Sequence, residues 1–124
     1  MALTREYRET VVERIKKDPQ FTAALYAEAI SSMIEGDKGT ALSILRDLVH
    51  AHISFSKLAE QTGLDEKSLH RMFGSNGNPT MENLVQLIHV IERDLKLDVN
   101  VSVRMHEKTG TRKARPRQPV LAYA

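Results

Sequence analysis

Five side chains with hydrogen-bonding reach crowd into residues 66–71: Glu66, Lys67, Ser68, His70 and Arg71, with Leu69 among them. On one face of a helix they form a set that can address base edges in a DNA major groove. Arg71 or Lys67 would read guanine, Glu66 would accept from cytosine or repel a wrong partner, and Ser68 is less selective. That chemistry needs a rigid mount, and Leu69, Met72 and Phe73 are spaced to anchor the opposite face. Lys57, with the amides near Ser54 and Phe55, is placed for phosphate. Asn76 and Asn78, in the loop "RMFGSNGNPT" at 71–80, are further candidates for phosphate contact.

Other chemistries find less support. The five histidines are His50, His52, His70, His89 and His106. His50 and His52, two residues apart, point away from each other on a helix, and no thiolate or carboxylate set accompanies them. His89, within the last long helical pattern, reads as a partly buried residue with a partner. The chain has no Cys and no G-x-S-x-G, so neither a thiol nor that type of serine nucleophile is expected. The loop holding Gly74 and Gly77 lacks the lysine and the preceding strand of a phosphate cradle. No metal, cofactor or catalytic residue is expected.

The elements that must position the polar set are helical. Tyr7, Val11, Val12 and Ile15 give an amphipathic pattern over 4–17, with Thr4 as a possible cap. Asp18 and Pro19 restart the chain as N-cap and first helical residue. Phe21, Leu25, Ala29 and Met33, with Ile30 and Ile34 beside them, continue it to Gly36. A third helix starts at Asp37 or Gly39 and runs to about His50, with Leu42, Leu45, Leu48 and Val49 on one side. Ser54 caps a short helix carrying Phe55, Leu58 and Ala59. Gly63 turns the chain, and Asp65 caps a second short helix carrying Leu69, Met72 and Phe73. Gly74 and Gly77 are expected at positive φ, Pro79 keeps Asn78 extended, and Thr80 caps a longer helix that faces Leu84, Leu87, Ile88 and Ile91 inward.

The period then changes. Leu97, Val99, Val101 and Val103 alternate with Asp98, Asn100 and Ser102, the pattern of a half-buried strand. With no second strand in the chain, its ladder must come from another copy or a partner protein.

With 124 residues and 41% hydrophobic content, the chain fits one domain. The net charge of +2 is unevenly spread. Residues 104–124 hold six basic residues and one acid, a balance of +5, which leaves −3 for residues 1–103. Nucleic-acid contact would therefore come from a local patch and the tail rather than from general basicity. The absence of cysteine, of a leader and of a long apolar run gives the expectation of a soluble cytoplasmic protein without membrane contact.

Two short capped helices joined at a glycine, with longer helices before and after, form the helix-turn-helix arrangement. At these residues a family resemblance emerges. The segment "FSKLAEQTGLDEKSLHRMFGSNGNPTMENLVQLI" resembles the core of XRE-like transcriptional regulators, most of all the HigA-like addiction-module antidote proteins, which share LAxxTGLxxxSLxxxxxxxGNPxxxxLxxxI. The similarity extends back through "GDKGTALSILRDLV" and forward into "LKLDVNVSV", covering about residues 36–103. One departure stands out: Phe55 occupies the place where the wider family often carries a phosphate- or base-contacting glutamine.

The resemblance implies an all-α, lambda-repressor-like helix-turn-helix bundle over 37–103, with an N-terminal helical extension (1–36), one C-terminal strand paired in a dimer, and a basic tail (104–124). It further implies a homodimer that binds a double-stranded DNA operator through residues 66–73. An alternative is an antitoxin that neutralises a small cognate toxin and uses DNA binding only for autoregulation. A third is nonspecific nucleic-acid contact through the tail.

Overall fold

A computed structural model describes residues 5–106 and contains α1 (Arg5–Lys17), α2 (Pro19–Ile34), α3 (Lys38–His52), α4 (Phe55–Thr62), α5 (Glu66–Met72) and α6 (Met81–Leu95). The architecture is an all-α six-helix bundle, and no strand occurs among the described residues. The expected Thr4 cap and the basic tail beyond His106 lie outside them.

Local chemistry sets where the helices begin. Asp18 accepts from the amides of Gln20 and Phe21, both at 3.1 Å, with Pro19 at the first helical position where no donor is lost. Asp37 accepts from Thr40 N at 3.2 Å, Ser54 from Lys57 N at 3.2 Å, Asp65 from Ser68 N at 3.2 Å and Thr80 from Asn83 N at 3.1 Å. Each satisfies an amide that the first helical turn leaves without a partner, a contribution of about 0.5–2 kcal/mol. Hydrogen bonds from Thr40 also hold the Asp37 carboxyl below its ordinary pKa.

Helix α3 is the shared wall of the bundle. Ala41, Leu42, Leu45, Leu48 and Val49 are buried along it, and α1, α2, α4 and α6 all pack against it, while α5 reaches the body through α4. Ile15, Tyr26 and Ala29 join the core from α1 and α2, and Phe55, Leu58, Leu69, Phe73, Leu87, Val90 and Ile91 from the later elements. Full burial of one such aliphatic or aromatic side chain is worth about 1.5–3 kcal/mol.

Polar ties fix the N-terminal helices on that wall. The Thr22 hydroxyl donates to Ile15 O at 2.9 Å, and His52 Nε2 lies 3.1 Å from the same carbonyl. The Tyr26 hydroxyl donates to the Glu92 carboxylate, fastening α2 to α6. Burial, that hydrogen bond and the carboxylate charge together raise the phenol pKa above its ordinary value, so this donor keeps its proton.

Several sequence expectations change in three dimensions. Tyr7 and Ile34, at the ends of their apolar stripes, are exposed. His89 is exposed rather than partly buried, since it lies on the face of α6 away from Leu87 and Ile91. Leu97 packs against the core, but Val99, Val101 and Val103 are exposed and residues 97–106 form no regular element.

The two loop glycines are also corrected. Positive φ occurs at Gly36 and Gly63, not at Gly74 or Gly77. Gly77 is required for a different reason: a Cβ there would sit 1.9 Å from the Met72 carbonyl oxygen. The loop folds back against the end of α5, with Gly77 N donating to Gly74 O at 2.9 Å, and only a residue without a side chain fits.

Candidate nucleic-acid interface

Helices α4 and α5 have eight and seven residues and are joined by Gly63, Leu64 and Asp65. Gly63 adopts φ 77 and donates its amide to Ala59 O at 2.9 Å, ending α4 in a left-handed cap that sends the chain into α5. Leu64 N donates to the Thr62 hydroxyl at 3.2 Å, which holds the turn further. Leu69 and Phe73 are fully buried behind α5, as expected, with Met72 half-buried beside them.

The opposite face of α5 is polar. Glu66, Lys67, His70 and Arg71 are exposed there, and Ser68 is intermediate. Ser68 is already engaged, its amide and hydroxyl lying 3.2 and 3.4 Å from Asp65 Oδ2, so it serves the cap of its own helix. His70 Nε2 lies 3.8 Å from Glu66 Oε2 one turn earlier. Lys57 is exposed on the first turn of α4, and Asn76 and Asn78 are exposed in the loop after α5. The elements thus bring Glu66, Lys67, His70 and Arg71 together on one helix and leave Lys57, Asn76 and Asn78 on its flanking segments.

An aromatic bracket joins the two short helices. The Phe55 ring stacks on His70 at 4.2 Å between centroids with an interplanar angle of 27°, and meets the edge of Phe73 at 5.6 Å and 77°. Phe55, the first residue of α4, therefore grips α5 on both its outer and inner faces. At the sequence level Phe55 registered as an apolar residue of the short helix and as the place of a missing polar contact, not as a contact to α5. The signal that could have found the bracket is the set of aromatic rings at 55, 70 and 73 flanking one short turn.

The entry to α4 is strained. Ser54 adopts φ 87 and ψ 148, a region that residues with a Cβ rarely visit. The conformation is over-determined: Ile53 N and Ser54 N both donate to Val49 O, at 2.9 and 2.8 Å, and Ile53 and Phe55 are buried on either side.

Beside the bracket a cleft of about 800 Å³ opens between α1, α3, α4 and α5. Arg8, Arg46, Asp47 and His50 line it, along with Phe55 and His70. Arg8 Nη1 meets Asp47 Oδ1 at 2.9 Å, pinning α1 to α3. Burial raises the Asp47 pKa despite the opposing influence of Arg8, Arg46 and His50. Arg46 Nε is buried without a hydrogen-bond partner among the described residues. Arg8, Arg46 and Asp47 did not stand out in the sequence, where His50 was weighed only as a metal ligand, because the Arg8–Asp47 contact joins residues 39 positions apart.

The described residues contain no group of three or more His, Asp or Glu arranged to hold a metal ion, and no described helix is long and apolar enough to cross a membrane. Comparisons with family models, curated proteins and solved structures find no match to this chain.

Proposed function

We propose that the protein is a sequence-specific DNA-binding regulator that acts as a homodimer and represses by occupying an operator, without chemistry. The observation that carries this reading is the α5 surface: exposed Glu66, Lys67, His70 and Arg71 on a short helix held from behind by Leu69 and Phe73. A short helix with reach on one face and anchors on the other suits insertion into the major groove, with the preceding helix crossing the backbone. Lys57, Asn76 and Asn78 then lie on segments suited to phosphate contact, which positions the reader without specifying sequence. The resemblance of residues 36–103 to XRE-like and HigA-like regulators supports the same assignment, in a lambda-repressor-like bundle. Selection from a random pool of duplexes tests it: an enriched motif with two half-sites is expected, and a pool that stays random would refute it.

A second reading, neutralisation of a small toxin, draws on α1 and α2. These helices lie outside the α4–α5 pair and add a surface of their own, with Ile34 exposed at its edge. Co-purification with the product of an adjacent short gene is expected if this holds. A protein that captures no such partner argues for the regulator alone.

A further inference from the structure

The cleft between α1, α3, α4 and α5 has no task in the proposed reading of DNA, yet its volume of about 800 Å³ falls within the range of small-molecule pockets, about 300–1,000 Å³. Its charged side chains are not equally free. Arg8 and Asp47 meet each other at 2.9 Å, and Glu13 lies 3.7 Å from Lys17 on its own helix. Glu9, also from α1, is exposed to water. Arg46 differs from these. It is half-buried on α3 and influences Asp47 through its charge, but its Nε is buried with no hydrogen-bond partner among the described residues. A buried guanidinium donor left unmade is costly, so an acceptor entering the cleft supplies what the lining lacks. His50 follows Arg46 by four residues, one turn along the same face of α3. The rest of the lining is apolar: half-buried Val12 and the Phe55 ring, with His70 stacked on that ring at 4.2 Å.

We propose that the cleft binds a small monocarboxylate with a planar apolar body, its carboxylate on Arg46 beside His50 and its body against Val12 and Phe55. A guanidinium matches a carboxylate with two parallel hydrogen bonds, which fixes the orientation of the ligand as well as holding it. A single negative charge suits the site better than a multiply charged phosphate, because Glu9 and Glu13 stand in the same lining and repel added negative charge. The aromatic wall made by Phe55 and His70 favours a flat body over a branched one. His70 belongs both to this lining and to the exposed face of α5, so an occupant lies against the helix that carries Lys67 and Arg71. The site stands on the cleft alone and needs no DNA, so its test and the test of operator binding fail separately.

Indole-3-acetate is a probe of this class, and indole-3-acetamide is its neutral counterpart. Titrated into the full chain at fixed salt and neutral pH, the acid should raise the melting temperature. It should also shift the imidazole NMR signals of His50 and His70 while leaving those of His89 and His106, which do not line the cleft, in place. The amide should bind at least about tenfold more weakly, as should the acid to Arg46→Gln, because each change removes a hydrogen bond between charged groups. The comparison of acid with amide uses the native chain, so it decides the matter even where Arg46→Gln fails to fold. Equal binding of acid and amide, no binding at millimolar acid, or undiminished binding to a folded Arg46→Gln overturns the proposal. So do shifts at His89 as large as those at His50, and inorganic phosphate binding as tightly as the acid.

Discussion

Phe55 and His70 stack at 4.2 Å, so the first residue of α4 touches the exposed face of α5. The pair joins a buried ring to a side chain otherwise available for contact. A double-mutant cycle with Phe55→Leu and His70→Ala should give a coupling of about 0.5–1.5 kcal/mol in denaturant unfolding. Coupling near zero would mean that the rings merely lie side by side.

Ser54 combines a useful cap with a costly backbone. Its φ of 87 favours glycine, while its hydroxyl accepts from Lys57 N. Ser54→Gly should relieve strain of about 1–3 kcal/mol and lose only a few tenths as a cap, raising the melting temperature. Ser54→Ala keeps the strain and loses the cap, so it should lower stability by about 1 kcal/mol. Thermal unfolding of the two variants should move in opposite directions.

The loop after α5 discriminates between its glycines. At Gly77 a Cβ would collide with the Met72 carbonyl oxygen at 1.9 Å, whereas at Gly74 the nearest atom is 3.4 Å away. Gly77→Ala should therefore destabilise by about 1–3 kcal/mol, while Gly74→Ala should fold with little loss. Equal tolerance at both positions, read by chemical denaturation, would contradict the close approach.

Asp47 makes a pH-dependent contribution of defined sign. Its pKa is raised in the folded state, so folded protein binds its proton more tightly than unfolded protein does. The stabilisation is complete below the unfolded carboxylate pKa of about 3.9 and is lost as pH rises through the folded value. Asp47→Asn lacks this step. Stability of the native chain minus that of the variant should therefore fall with rising pH just above 4 and then level off. A difference that grows with pH there would mean that Arg8 outweighs burial.

How much of this was legible in the sequence follows from the range of each interaction. All six helices could be read from apolar spacing and from Asp18, Asp37, Ser54, Asp65 and Thr80, because capping acts within three residues. The anchors Leu69 and Phe73 followed from the same periodicity. The cleft did not, since Arg8 and Asp47 meet only after α1 folds onto α3. The close approach at Gly77 was misread as positive φ because a sequence shows that glycine is needed without showing which neighbour excludes a Cβ. The alternation at 97–103 was plain, yet the described residues offer no second strand to pair with it, and the segment has no regular structure among them.

Recognition of DNA by α5 is tested most directly by titrating the enriched duplex at fixed salt with native protein, Lys67→Ala and Arg71→Ala. Both side chains are exposed and support no core contact, so the variants should fold normally. If α5 reads base edges, at least one substitution should cost about 1–3 kcal/mol and relax preference at one position in each half-site. Unchanged affinity and preference in both variants would contradict it.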